Sequence, residues 1–199
     1  MFRKGLIASA LALSALAAQA AVTFSVTPTA LTGGVGYGDD GNGAGGTLLG
    51  VDFTASNLVN NFSLANPGSS SSFSVGSVQL TELLIGINEL DNLGVSATFA
   101  FTSPLVGAQI VTATGTASFG GVPDAEIDLT ITWQPVVINF GNGGSFSLTL
   151  DTLNFTERAT LTQSATIQLR TASTAVPEPG SLALVGLGLL GFGALRRRR

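Results

Sequence analysis

Residues 126–133 read EIDLTITW, and they decide the fold class. Ile127, Leu129, Ile131 and Trp133 alternate with Glu126, Asp128, Thr130 and Thr132. Successive side chains of an extended chain point to opposite faces, so the pattern predicts a half-buried strand with its acids turned outward. The same period of two runs through Val95, Ala97, Phe99 and Phe101, through Phe146, Leu148 and Leu150, and through Leu161, Gln163, Ala165, Ile167 and Leu169. Further strands are expected at 22–26, 47–54, 73–80, 109–119 and 136–140. Turn clusters such as Asn66-Pro67-Gly68-Ser69 and Gly141-Asn142-Gly143-Gly144 separate them. About eight to ten strands, with Thr and Ser on one face and apolar residues on the other, predict an all-β body, an antiparallel β-sandwich.

Two segments echo each other. SFSVGSVQLTE (72–82) and SFSLTLDTLNFTE (145–157) share a Ser-Phe-Ser start and a Thr-Glu end. The second is two residues longer, which preserves the in/out register of a strand. Leu150 and Leu153 break its alternation and predict a bulge near Asp151-Thr152. The echo is equally compatible with two related sheet halves and with chance in a Ser/Thr/Phe-rich chain.

Charge is distributed unevenly. Of the eight basic residues, Arg3, Lys4 and Arg196, Arg197, Arg198 and Arg199 lie at the ends, leaving Arg158 and Arg170 inside. Eleven of the twelve acids fall between Ala21 and Ala175, so eleven acids against two cations give that region a formal net charge of −9. Such a surface has little to neutralise phosphates with, and nucleic acid is not an expected partner. The chain has no histidine and no cysteine. A disulfide framework, thiolate zinc, cysteine nucleophiles and a Ser-His-Asp triad are therefore excluded, and an enzyme would have to work with carboxylates.

Both ends read as addresses. At the front, Arg3 and Lys4 precede an apolar run from Leu6 to Ala17 and an Ala18-Gln19-Ala20 site. This is the pattern of a cleaved secretory signal, residues 1–20, read by the Sec translocon, with the mature chain beginning at Ala21. Its apolar core is about a dozen residues, short of the roughly 20 needed to span a bilayer. At the back, Val176-Pro177-Glu178-Pro179 is held extended by its prolines. An apolar run then leads to Arg196, Arg197, Arg198 and Arg199, which keep that end cytoplasmic. A helix from Ser181 to Leu195 would be about 22 Å long at 1.5 Å per residue, against a hydrocarbon core of about 30 Å. Gly186, Gly188, Gly191 and Gly193 weaken it further. Such a segment suits a short transmembrane helix that holds the chain transiently and is then removed. The expected organisation is a signal helix at 1–20, a β-body at 21–175 and a tail at 176–199.

The order Val-Pro-Glu-Pro, Gly-Ser, Leu/Gly-rich helix and arginine cluster resembles the PEP-CTERM sorting signal. The resemblance covers about the last 24 residues. It implies processing by an exosortase, a membrane cysteine transpeptidase of Gram-negative bacteria that make exopolysaccharide. Pro177, Glu178 and Pro179 would be the recognition motif, with cleavage close by. FSVGSVQLTE and FGNGGSFSLTLDTLNF are similar to β-rich bodies attached to such tails, including those called choice-of-anchor domains. That similarity implies no ligand.

Three features of the body are candidate sites. Asp39, Asp40 and Asn42 sit in a Gly-rich loop, and calcium favours several oxygens on a loop that can wrap it. EF-hand spacing is missing, and a solvated loop is the favoured reading. Asp124, Glu126 and Asp128 could share one strand face, as a carboxylate-based polysaccharide hydrolase would require. They are read instead as solvent-facing charges that discourage edge-to-edge pairing. Glu82, Glu89 and Asp91, within TELLIGINELDNLG, are read as solvated turn residues. Trp133 lies on an apolar face and is expected in the core, so it and Tyr37 do not make a sugar platform. The expectation is therefore a non-enzymatic, exported structural or adhesive protein associated with exopolysaccharide or biofilm. The alternatives are a calcium-dependent carbohydrate-binding module and, behind it, the hydrolase.

Overall fold

Alternating apolar residues build two antiparallel sheets that face each other across one core. The computed structural model describes residues 21–41, 45–122 and 126–173. Strands are numbered in chain order. Edge to edge, the first sheet runs β12 (Leu153–Phe155), β9 (Leu129–Trp133), β7 (Gly107–Ala117), β6 (Gly94–Ser103), β1 (Val22–Gly33) and β3 (Asn60–Leu64). The second runs β10 (Val136–Phe140), β11 (Gly144–Leu150), β13 (Thr160–Thr171), β4 (Ser70–Leu80) and β2 (Val51–Ala55). A short ribbon pairs β5 (Leu84–Ile85) with β8 (Gly120–Gly121). The all-β sandwich expected from the sequence is the architecture observed, with more strands than the alternation alone revealed.

Phenylalanines stitch the two sheets together. Phe24 on β1 meets Phe146 on β11 edge-on at 5.1 Å, and Phe73 on β4 meets Phe99 on β6 edge-on at 6.2 Å. Phe101 on β6 packs against Phe146 at 5.5 Å. Edge-to-face geometry lets the positive rim of one ring approach the negative face of the other. On the outer faces, hydroxyls pair across strands: Thr32 with Ser96 at 2.9 Å, and Ser72 with Thr166 at 2.7 Å. Thr and Ser thus face out and apolar residues face in, as the alternation predicts.

Several boundaries differ from expectation for local physical reasons. β1 continues past Val26 to Gly33 because a register shift between Pro28 and Ala30 absorbs the proline, which has no N–H to give the ladder. Its partner β3 covers only Val22 to Val26, so Pro28 lies beyond the doubly paired part of the strand. β2 begins at Val51 rather than residue 47, because the Asp40 carboxylate takes the Thr47 and Leu48 amides that would otherwise join a ladder. The stretch 126–133 is a strand only from Leu129. Before it, Asp128 donates its N–H to Phe155 O and accepts from Ser118 N, and the alternation fails there: Asp128 is 4% exposed and Ile127 48%. The expectation that Asp128 faces solvent and Ile127 the core is thus reversed.

The Ser-Phe-Ser starts of the two echoing segments lie in the same sheet, β4 and β11 flanking β13 on either side, but the second segment ends in the other sheet. The predicted bulge at Asp151-Thr152 is instead a change of sheet: β11 ends at Leu150 in the second sheet and β12 starts at Leu153 in the first. Both leucines stay buried because each faces the shared core from its own sheet, while Asp151 and Thr152 between them are exposed.

Two of the connections between sheets meet at one end of the sandwich. Residues 34–50 lead from β1 to β2, and residues 81–93 lead from β4 through β5 and the 3-10 turn Ile87–Glu89 to β6. Gly34 N donates to Gly94 O at 2.7 Å, Gly36 N to Asn92 O at 3.3 Å, and Thr81 N to Gly50 O at 2.9 Å. These bonds zip one crossover onto the other.

Candidate functional site

The acidic residues of the body concentrate where these two crossovers touch. Asp40 closes the first: its Oδ2 accepts from Thr47 N at 2.6 Å, Leu48 N at 3.1 Å and Thr47 Oγ1 at 3.2 Å. The Thr47 amide, with the other donors, holds the Asp40 carboxyl below the usual range. Asp39 Oδ1 accepts from Gly41 N at 3.3 Å. From the second crossover, Glu82 reaches across, its Oε1 accepting from Gly50 N at 3.0 Å. Glu89 ends the 3-10 turn and exchanges two bonds with Gly86, its Oε2 accepting from Gly86 N at 2.7 Å and its own N–H donating to Gly86 O at 3.2 Å.

Each glutamate is left half-satisfied. Glu82 is 2% exposed and Glu89 fully buried, and neither Glu82 Oε2 nor Glu89 Oε1 has a hydrogen-bond partner among the described residues. A buried carboxylate oxygen without a donor is costly, so such a group needs an explanation. Burial pushes the Glu82 carboxyl above its ordinary range, and the negative charges of Glu89, Asp40 and Asp39 add to the effect. Gly46 marks where Glu89 and Asp40 converge: a Cβ there would stand 2.2 Å from Glu89 Oε1 and 2.7 Å from Asp40 Oδ1. Beside this cluster a depression of about 200 Å³ is lined by Asp39, Asp52, Thr81 and Arg158 among others.

The sequence expectation for these glutamates is therefore corrected. Glu82 and Glu89 are buried, not solvated turn residues, while Asp91 is exposed. What sequence reasoning missed is that Gly46 and Gly50 of the Gly-rich segment close over Glu89 and Glu82, Gly50 supplying a backbone donor to one oxygen of Glu82. Of the calcium candidates, Asp39 and Asp40 lie at this junction, and Asn42 lies outside the described residues. Of the hydrolase candidates, Glu126 is exposed and Asp128 buried, and Asp124 lies outside the described residues. Among the described residues no three acidic side chains converge closely enough to hold a metal ion by themselves.

Trp133 is in the core, its indole bonded to Gln163. Tyr37 donates its hydroxyl to Leu93 O at 3.2 Å and packs edge-on against Phe53 at 5.0 Å, and burial pushes its phenol up. Neither ring is presented as a free platform.

The terminal addresses fall almost wholly outside the described residues. Ala21 is the first described residue, and Ala18, Ala20, Val176, Pro177, Glu178, Pro179, Arg196, Arg197, Arg198 and Arg199 are outside the described residues. Among the described residues no helix is long and apolar enough to cross a membrane. The whole is thus an all-β sandwich joined to a C-terminal tail of sorting-signal type. Residues 175–199 match the family model of the PEP-CTERM protein-sorting motif. No curated protein and no solved structure matches the chain. The motif makes this an exported protein, held transiently in the membrane and sorted by an exosortase.

Proposed function

We propose that the chain is a non-enzymatic structural or adhesive protein that an exosortase releases or transfers to the cell surface or the exopolysaccharide matrix of a Gram-negative bacterium. The observation that carries this reading is the PEP-CTERM motif at 175–199 following a sandwich whose outer faces are hydroxyl-rich and whose charge is acidic. Hydroxyl ladders such as Thr32–Ser96 and Ser72–Thr166 suit a hydrated polysaccharide environment, because they offer donors and acceptors without the cations that would bind phosphate. In this reading the arginine cluster stops export, the apolar run before it holds the body outside, and Pro177–Pro179 is the motif that the processing enzyme recognises.

Mass spectrometry of the mature surface protein tests the sorting step. The expected C-terminus lies near Pro177–Pro179, and a Pro177→Ala/Glu178→Ala/Pro179→Ala chain should remain in the membrane fraction. A mature protein that retains Arg196–Arg199 would sink the proposal. Release of reducing ends from the host polysaccharide by the purified chain, abolished in Glu126→Gln, would replace the structural role with a hydrolase.

A further inference from the structure

We propose that the junction of the two crossovers, between Asp40 and Glu89 and floored by Gly46, is a calcium-ion site. The inference stands apart from the sorting tail and from the matrix role, since it concerns only residues of the sandwich.

Three observations point to the ion. First, Glu89 Oε1 and Glu82 Oε2 are oxygens of carboxylates buried to 0% and 2% exposure that lack any donor among the described residues. Their other oxygens are already fixed, by Gly86 N and Gly50 N, so the two side chains are held in place rather than free to turn to water. Second, the spacing fits. Asp40 Oδ1 and Glu89 Oε1 stand 2.7 and 2.2 Å from the point where a Gly46 Cβ would be. One calcium ion, with Ca–O bonds of about 2.3–2.6 Å, bridges oxygens up to about 5 Å apart. Third, Gly46 is buried and its lack of a side chain is what lets both carboxylates close in on the backbone there, since a Cβ would collide with them.

The chemistry favours calcium over other cations. All the donors are hard oxygens and the chain has no histidine or cysteine. Asp40 is exposed and Glu89 buried, so the site opens to solvent on one side. Two carboxylate ligands completed by backbone carbonyls and water suit calcium's flexible six to eight positions better than the strict octahedron of magnesium. Glu82 belongs to the same crossover as Glu89, and burial first, then the charges of Glu89, Asp40 and Asp39, raise its affinity for a proton. An exported protein meets calcium in the range of about 10⁻⁴–10⁻³ M at which extracellular modules bind it. Bound there, the ion would tie residues 34–50 to residues 81–93 and close that end of the sandwich.

The test uses the full-length chain in mild detergent, stripped with chelator and titrated with calcium chloride or magnesium chloride. Equilibrium dialysis should show one calcium bound per chain, and thermal unfolding should shift upward by about 3–8 °C at saturating calcium. Glu89→Gln should fold with an unchanged or higher Tm in chelator and lose most of the calcium response. Asp40→Asn, at an exposed position, should weaken binding at least about tenfold, since a charged ligand becomes a neutral one. No bound calcium at about 10 mM (well above the usual extracellular range) would overturn the proposal without reference to any variant. So would an undiminished response in both Glu89→Gln and Asp40→Asn. An equal shift with magnesium would overturn the assignment to calcium.

Discussion

The indole N–H of Trp133 on β9 donates a 2.9 Å hydrogen bond to Oε1 of Gln163 on β13, joining the two sheets through the core. Gln163 is fully buried, and its amide nitrogen donates to Asp151 O at 2.9 Å and Ser164 O at 3.0 Å. Every polar position of this side chain that needs a partner has one. The carbonyls it satisfies lie where β11 gives way to the crossing toward β12 and where the β13 ladder shifts register opposite Gly76. The polar side chain therefore gives Asp151 O a donor and adds a second one to Ser164 O, which also accepts from Asp151 N at 3.1 Å.

Gln163→Ala should cost about 2–4 kcal/mol, because it leaves the indole N–H without an acceptor, takes the side-chain donor from Asp151 O and empties a fully buried position, while Ser164 O keeps the Asp151 N–H. Trp133→Phe should cost less, about 1–3 kcal/mol, since only Gln163 Oε1 loses its donor. Urea unfolding measures both. A Gln163→Ala chain as stable as the parent would show that these bonds contribute nothing net.

Phe146 is fully buried against Phe24, Phe101 and Phe140, whereas Phe119 is largely exposed. Phe146→Ala should destabilise by about 3–5 kcal/mol through lost burial and the cavity left behind. Phe119→Ser should stay within about 0.5 kcal/mol of the parent. Comparable losses at the two positions would contradict the packing described.

Gly76 sits at the bulge of β4, where an added Cβ would stand 2.0 Å from Thr54 O on β2. The obstacle is backbone, which cannot rotate aside, so Gly76→Ala must push β2 away from the sheet. A loss of about 1–3 kcal/mol is expected, with faster hydrogen exchange along β2. Unchanged exchange from Val51 to Ala55 would argue against it.

Glu82 gives the metal-free protein a characteristic pH dependence. Its folded pKa is raised by burial first and by neighbouring carboxylates second, so the folded chain holds the proton more tightly than the unfolded one. The associated stability is full below the ordinary glutamate range, about pH 4.3, and is lost as pH rises through the folded pKa. In chelator, Tm should therefore fall as pH rises from about 4.3 toward neutrality, and Glu82→Gln should flatten that decline. Calcium should reverse the trend, because it favours the ionised carboxylates. A chelated Tm that climbs over the same interval would refute the assignment.

Sequence alone determined the class of the body and the presence of an export and sorting tail. Alternation is a local property of the extended backbone, so β6, β11 and β13 were legible wherever apolar and hydroxyl residues took turns. The sorting motif was equally legible, because a short linear signal is defined by the order of its residues at 175–199 and needs no tertiary context to be recognised in the sequence. Tertiary structure decided what depends on partners distant along the chain. The two echoing segments look alike in sequence, yet Glu82 is buried at the end of one and Glu157 is exposed at the end of the other. Nothing local distinguishes them. Only the crossover at 34–50, folding back over Glu82 and Glu89 with its glycines and amides, converts two ordinary acids into buried carboxylates that call for a cation. Burial of a charge is set by what covers it, and that cover comes from residues more than thirty positions away.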